Sequence, residues 1–391
     1  MKIFGFPQMD LIKGIRRSYP PHLILSIAKS NKVLLYLEEG YGEDIGFTES
    51  DYQYKNVQYK TKKEVFSESD FIVCITAPSS REIDMIGEGQ TLLAFLHYNT
   101  HDIRNKLFYD RKINTISLDE LVDPITNRRL IEDLKSTSFN AIKAAIIALK
   151  QSWGDEKWFS KYREHIKAYV MGTGEVGANA IDALSNFRYT GLRNELVENG
   201  NCKIEVVAIG YRETEDKDFM NRYILPKADI LVDSTFRRQG KNHLHIIEKE
   251  QLEILPQDSI ICDISADKYD TSGDIHIVKG IEGIPTGQDK DFAMPIFNRD
   301  HSAFTDDNYV PKQYQLSARE RRVTVSSYSW PSYGTNTDRL VNAEIYARQI
   351  QPILQFLIDN GLEGIKEPEF LITSSVNDAL YGSMNPLNYA I

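Results

Sequence analysis

The chain has 391 residues, enough for about two to three domains, and its 41% hydrophobic and 26% charged content is that of an ordinary globular protein. Its 46 Lys and Arg against 56 Asp and Glu leave a net charge of −10, which argues against general nucleic-acid or anionic-membrane binding. No apolar run reaches the ~20 residues that a transmembrane helix requires.

From the N-terminus, MKIFGFPQ reads as a first strand without the long apolar core of a signal peptide. Val33 to Leu37, Phe71 to Ile75 and Leu92 to Leu96 follow as buried strands. A helical pattern from about Thr137 to Trp153 then suggests a rigid spine between domains. Next come Ala168 to Met171, Ile204 to Ile209, Ile230 to Val232 and Ile260 to Cys262. Short apolar runs with helical segments between them predict mostly parallel sheets covered on both faces. Pro285 to Arg322 reads as a long irregular surface excursion. A helix from about Asp338 to Asn360 presents Leu340, Ile345, Ile350, Ile353, Leu354 and Leu357, an amphipathic face expected to pack against the N-terminal domain. The tail after Pro368 carries no clear pattern. Of the three cysteines, Cys74 and Cys262 fall in apolar runs and are expected to be buried. No metal site is expected, His97 and His101 included, and the chain is expected in the reducing cytoplasm.

The expected fold class is α/β, with two Rossmann-like doubly wound domains, a cleft between them, and the N-terminal domain completed by C-terminal helices. Residues 1–145 and about 325–391 would form a substrate domain. Residues 146–324 would bind a dinucleotide, with an irregular insertion at about 285–322.

Gly172-Thr173-Gly174-Glu175-Val176-Gly177 carries the most chemistry. A strand precedes it and a helix pattern follows at once, the context in which G-x-G-x-x-G means dinucleotide binding. Gly172 allows the tight turn, Gly174 lets a pyrophosphate approach, and Gly177 lets the helix pack closely. The helix N-terminus supplies N–H groups and the positive end of its dipole.

Four further groups could do chemistry. Arg16 and Arg17, in the loop after the first strand, could grip a carboxylate, or form a solvated surface pair. His97 ends the strand Thr91 to Leu96, where open α/β sheets face their ligands, and suits proton transfer or a structural role. Asp263 to Asp267 follows another strand, so its acids could meet a ligand or cap the next helix. The strand ending at Gly210-Tyr211-Arg212 lacks the acid that commonly binds the NAD ribose. Arg212 could meet a 2′-phosphate instead, which leans toward NADP(H) over NAD(H), although Glu213 and Glu215 follow.

At this point the chain resembles the alanine dehydrogenase and transhydrogenase superfamily. The resemblance rests on LEEGYGEDIGFTESDY (37–52), GEGQTLLAFLH (87–97), GTGEVGANAIDAL (172–184), ADILVDST (228–235) and IICDISADK (260–268), in family order over roughly residues 1–350. Within it, KGIRRSYPP, DISADK and the absent second-strand acid look most like N5-(carboxyethyl)ornithine synthase and the lysine-forming saccharopine dehydrogenase. The resemblance implies His97 and Asp267 as catalytic groups, and Arg16, Arg17 and Thr76 at the substrate. It also implies a cofactor site at Gly172, Gly174, Glu175, Val176, Gly177, Gly210, Arg212, Ser234 and Thr235. Thr76 stands where alanine and saccharopine dehydrogenases keep a catalytic Lys, and a hydroxyl is no cationic acid.

The expected function is an NAD(P)-dependent oxidoreductase acting on the CH–NH bond of an amino-acid derivative. It would join a 2-oxo acid to an amino acid reductively, as an opine-type synthase does, or run the reverse. The alternatives are a 2-hydroxy-acid dehydrogenase and a non-catalytic dinucleotide-binding protein. Expected partners are small molecules, not nucleic acid or membrane, in a homo-oligomer.

Overall fold

A computed structural model describes the chain except residues 9–17, 99–101, 124, 127, 160–164, 187–202, 238–239, 266–268, 272–275, 286–295, 328–329, 331–335, 363–371 and 384–391. The polypeptide divides into two compact units, Met1–Asp133 with Gly334–Ile391, and Leu134–Tyr333.

The first unit is built on β1 (Lys2–Phe6), β2 (Val33–Glu38), β3 (Val57–Lys60), β4 (Phe71–Thr76), β5 (Thr91–Phe95) and β6 (Asn114–Ser117). They form one sheet in the order β3-β2-β1-β4-β5-β6, every pair parallel. This is the doubly wound order, with the chain reversing direction across the sheet at β1. In β4 the side chains alternate faces with a period of two. Phe71, Val73 and Ile75 join one apolar cluster, while Ile72 and Cys74 join the other. Burial on both faces is why β4 reads as an unbroken apolar run.

The C-terminal segments complete this unit. Helix Asn336–Asn360 sends Tyr346, Ala347, Ile350, Ile353, Leu354, Leu357 and Ile358 into the cluster that holds Phe4, Phe6 and Leu35. Ile345 is only half-buried, so the buried face runs through its neighbour Tyr346. Helix Thr373–Ser383, which the sequence left unread, adds Val376 and Leu380 to the same cluster.

The second unit contains β7 (His165–Met171), β8 (Lys203–Ile209), β9 (Ile230–Asp233), β10 (Ile260–Asp263), β11 (Ile296–Phe297) and β12 (Val323–Ser326). The order is β11-β12-β10-β9-β7-β8, parallel except for the edge strand β11. Here too the core alternates: Ala168, Val170, Ile230, Val232, Ile260 and Cys262 on one face, Tyr169, Met171, Leu231 and Ile261 on the other. Two doubly wound α/β units are therefore present, as the sequence led one to expect.

Two expectations change. Helix Leu134–Trp158, expected as a spine between the domains, belongs to the second unit, where Ala141, Ala144, Ala145, Ala148 and Leu149 are buried against β10 and β12. Its helical backbone is interrupted at Gly154, φ 66°. The segment after Pro285 is not all surface, since Phe297, Ala303, Phe304, Val310 and Leu316 are buried. Its end is anchored by the buried Arg322, whose guanidinium donates to the carbonyls of Leu255 and Pro256 at 2.6 and 2.9 Å. No helix of the described residues is long and apolar enough to cross a membrane.

Candidate functional site

Parallel strands deliver the residues that follow them to one edge of a sheet, so the segments after β4, β5 and β6 share an edge in the first unit. His97 lies two residues past β5 and its φ is 47°. A non-glycine residue in this left-handed region is uncommon and costs of order 1 kcal/mol or more, so surrounding bonds must hold it. They converge on Asp119, two residues past β6. The N–H groups of Leu96 and His97 donate to Asp119 Oδ1 at 3.0 and 3.2 Å. Ser117 Oγ donates to the same oxygen at 2.6 Å. The other oxygen, Oδ2, lies 3.1 Å from His97 Nδ1.

The two partners differ in exposure: the His97 side chain is 45% exposed and that of Asp119 only 2%. Burial alone would push the Asp119 carboxyl up. The hydrogen bond and charge of His97, helped by Ser117, overcome it and hold the carboxyl well below the usual carboxylate range. Asp119 is thus an anion, and in the neutral ring Nδ1 carries the proton toward it, leaving Nε2 as the basic nitrogen. Phe95 stacks on the imidazole with centroids 6.4 Å apart.

Behind the pair, the Arg104 guanidinium donates to the Leu96 carbonyl. Burial lowers Arg104 to about 10, so it stays a cation at neutral pH. Burial likewise pushes Tyr98 up to about 12, keeping it a neutral hydroxyl that donates to Thr115 Oγ1 at 2.9 Å. Thr373, the first residue of the C-terminal helix, accepts the Ser117 N–H at 2.6 Å and so fixes the end of β6. Thr76 ends β4 opposite Phe95 and is half-buried. It offers a hydroxyl without charge. Arg16, Arg17 and Asp267 lie outside the described residues.

In the second unit the glycine turn follows β7. Gly172 has φ 90°, and a Cβ there would stand 2.8 Å from the Ser234 carbonyl oxygen. A Cβ on Gly177 would be 2.0 Å from the Gly172 oxygen, which is how closely helix Glu175–Ser185 packs on the turn. Gly174 is different: nothing lies within 4 Å of its missing Cβ. The helix therefore opens on free ground, with Gly174 as a cap that offers no side chain and Glu175 and Val176 in the first turn. The first-turn N–H groups and the positive end of the helix dipole lie there, which fits a pyrophosphate. Ser234 Oγ donates to the Met171 and Gly172 carbonyls at 2.7 and 3.2 Å, pinning the end of β9 to the turn. Thr235 is engaged with Asp233 Oδ1 through its N–H and hydroxyl at 3.0 and 2.6 Å. Of the two residues expected at a cofactor, Ser234 thus braces the turn and Thr235 is tied back to β9.

At the end of β8, Gly210 caps the short helix Tyr211–Glu215, and Arg212 is exposed. Lys241 reaches this tip and bonds Glu215 Oε1 at 2.9 Å and the Tyr211 hydroxyl at 2.8 Å.

Asp263, which opens the segment read from sequence as a ligand contact or a helix cap, is tied into the fold. Its Oδ2 receives Lys279 Nζ and Ser326 Oγ, each at 2.6 Å. Nearby Asp233 is pushed up to about 6, first by burial and then by the charge of Asp263. Among the described residues no group of three or more His, Cys, Asp or Glu could hold a metal ion. The sequence reading missed both Asp119 and Lys279. Neither carried a marker in the sequence, since the strand before Asp119, NTIS, has no apolar period.

Residues 16–141 match the family described as Alanine dehydrogenase/PNT, N-terminal domain. An alanine dehydrogenase of Methanococcus maripaludis is 29% identical over 86 residues, which is 22% of this chain and 23% of that protein. Among solved structures, an L-alanine dehydrogenase superposes with a TM-score of 0.63 at 15% identity, covering 95% of this chain and 94% of its own. A transhydrogenase from Sinorhizobium meliloti gives 0.59 at 15% identity, covering 96% and 97%. At these identities the likeness establishes the fold, two Rossmann-like units in one chain.

Proposed function

We propose that this chain is a nicotinamide-dependent oxidoreductase acting on the CH–NH bond of an amino-acid derivative. In the synthetic direction it would join a 2-oxo acid to an amine. The observation that carries the reading is the His97–Asp119 pair, an oriented and half-exposed imidazole backed by a buried carboxylate. It stands on the unit whose residues 16–141 match the alanine dehydrogenase and transhydrogenase N-terminal family. The glycine turn at Gly172 to Gly177 supplies the matching cofactor half, and when bound there a nicotinamide dinucleotide supplies or accepts the hydride.

The protein's own groups handle carboxylate and protons. Arg16, or Arg17 beside it, would grip the carboxylate of the oxo acid bidentately. Attack of the amine nitrogen on the carbonyl carbon forms the C–N bond and breaks the C=O π bond. His97 Nε2 takes a proton from that nitrogen and returns it to the oxygen. The oxygen leaves as water with a second proton from solvent, while the nitrogen lone pair closes the C=N bond of a protonated imine. Hydride addition to the imine carbon sends the C=N electron pair to nitrogen. In the reverse direction His97 takes a proton from the attacking water. Asp119 acts through His97, fixing its tautomer and steadying its cationic form. Asp267 would add an acid near the reacting carbon. With Thr76 in place of a lysine, the proton chemistry falls to His97 with these acids.

Nicotinamide oxidation by the purified protein, measured over a matrix of amines and 2-oxo acids, tests the reading. Turnover should require both partners. Oxidation with the oxo acid alone would indicate a 2-hydroxy-acid dehydrogenase, and dinucleotide binding without turnover across the matrix would indicate a binding protein; either result rejects the proposal.

A further inference from the structure

The tip of β8 has no acid in sequence, yet the fold puts a carboxylate there. Glu213 lies in the first turn of helix Tyr211–Glu215, four residues past the strand end. Its side chain folds back until Oε2 lies 2.7 Å from where a Cβ on Gly210 would stand, and no atom of Arg212 comes within 4 Å of that point. A side chain at position 210 would displace this carboxylate, so the glycine is what admits it.

The position matters because β8 is the neighbour of β7. Met171 pairs with Ile209, and the Gly172 N–H donates to the Ile209 carbonyl at 3.0 Å. The first glycine of the turn and the residue that Glu213 covers are therefore about one strand spacing apart, ~4.8 Å. In a dinucleotide fold an acid at this place accepts the ribose 2′-hydroxyl, ordinarily from the end of the second strand itself. Nearby positive charge is partly committed: Lys241 is bound to Tyr211 and Glu215, whose contacts raise its pKa, the Tyr211 bond first.

We propose that Glu213 selects the cofactor, accepting hydrogen bonds from the adenosine ribose and repelling a 2′-phosphate, so that NAD(H) is preferred to NADP(H). The inference rests on the dinucleotide site of the proposed function, and it reverses the lean that Arg212 alone suggests. A carboxylate facing a phosphate is a like-charge contact, and such contacts reject a wrong ligand strongly.

Equilibrium titration with NADH and NADPH, followed by nicotinamide fluorescence, tests it in the wild type and in Glu213→Ala, Glu213→Gln and Arg212→Ala. A far-UV melt of each variant confirms folding. The wild type should bind NADH about tenfold tighter than NADPH or better, and Glu213→Ala should bring the two within about threefold. Glu213→Gln should narrow the gap mainly by strengthening NADPH, and Arg212→Ala should leave it in place. Tighter NADPH binding by the wild type, or an unchanged ratio in Glu213→Ala, overturns the role of Glu213 and leaves the dinucleotide site standing. Failure of the wild type to bind either cofactor overturns both.

Discussion

Each unit carries an aspartate paired with a basic side chain at the carboxyl edge of its sheet, and the two pairs differ in who meets solvent. Asp119 is sealed but His97 is 45% exposed, whereas Asp263 and Lys279 are both sealed, at 2% and 1%. A half-open pair can pass a proton to something outside the protein. A closed pair can only hold its own elements, here the end of β10 and the segment bearing Lys279. The desolvation cost of the closed pair is offset in part by the hydrogen bond from Ser326 and the 2.6 Å Lys279 contact. Composition does not separate these pairs; exposure of the cation does.

If the second pair is architectural, opening it should damage the fold more than any other change considered. Lys279→Met leaves a buried carboxylate uncompensated and should cost about 3–5 kcal/mol in urea denaturation, with the double variant Lys279→Met, Asp263→Asn recovering part of it. A loss below about 1 kcal/mol would show that the pair does not hold the unit together.

The glycine turn offers a sharper contrast at smaller cost. Gly177→Ala forces a Cβ onto the Gly172 carbonyl and should cost about 1–3 kcal/mol. Gly174→Ala meets open space, so it should keep the protein's stability while weakening dinucleotide binding, which thermal melts with and without cofactor would separate. Equal destabilisation by the two would contradict the assigned roles.

The effect at Asp233 is set by pH. Its carboxyl is raised to about 6, so its contribution to stability is in place below the unfolded value and is lost as pH rises through about 6. Asp233→Asn should therefore match or exceed the wild type at pH 8 by about 1–3 kcal/mol, and this advantage should vanish by pH ~4. For Asp119 the sign is opposite. Its carboxyl is lowered, so its contribution is present above pH ~4 and fades on acidification.

How far the sequence showed all this depended on burial and on adjacency. Runs such as FIVCIT and IICD are apolar because both faces of β4 and β10 are covered, and they were readable for that reason. β6, NTIS, is fully buried yet polar. Asn114 spends its amide on the Gly89 carbonyl at 3.1 Å, and Ser117 its hydroxyl on Asp119, and no apolar period betrays such a strand. His97 could be picked out because it directly follows an apolar strand. Asp119 could not, because its link to His97 exists only once β5 and β6 lie side by side. The same holds for Lys279, sixteen residues from Asp263 in the chain and 2.6 Å away in space. Glu213 was visible as a residue but not as an occupant of the β8 tip, since only the fold-back onto Gly210 puts it there.

The claim that the open pair is the proton-transferring one is tested most directly by the steady-state turnover of His97→Gln and Asp119→Asn, each normalised to its own dinucleotide affinity. Both variants should bind the cofactor as the wild type does and lose turnover by about 10²–10⁴-fold, with Asp119→Asn the milder. Turnover at the wild-type level in a folded, cofactor-binding His97→Gln protein would contradict the account.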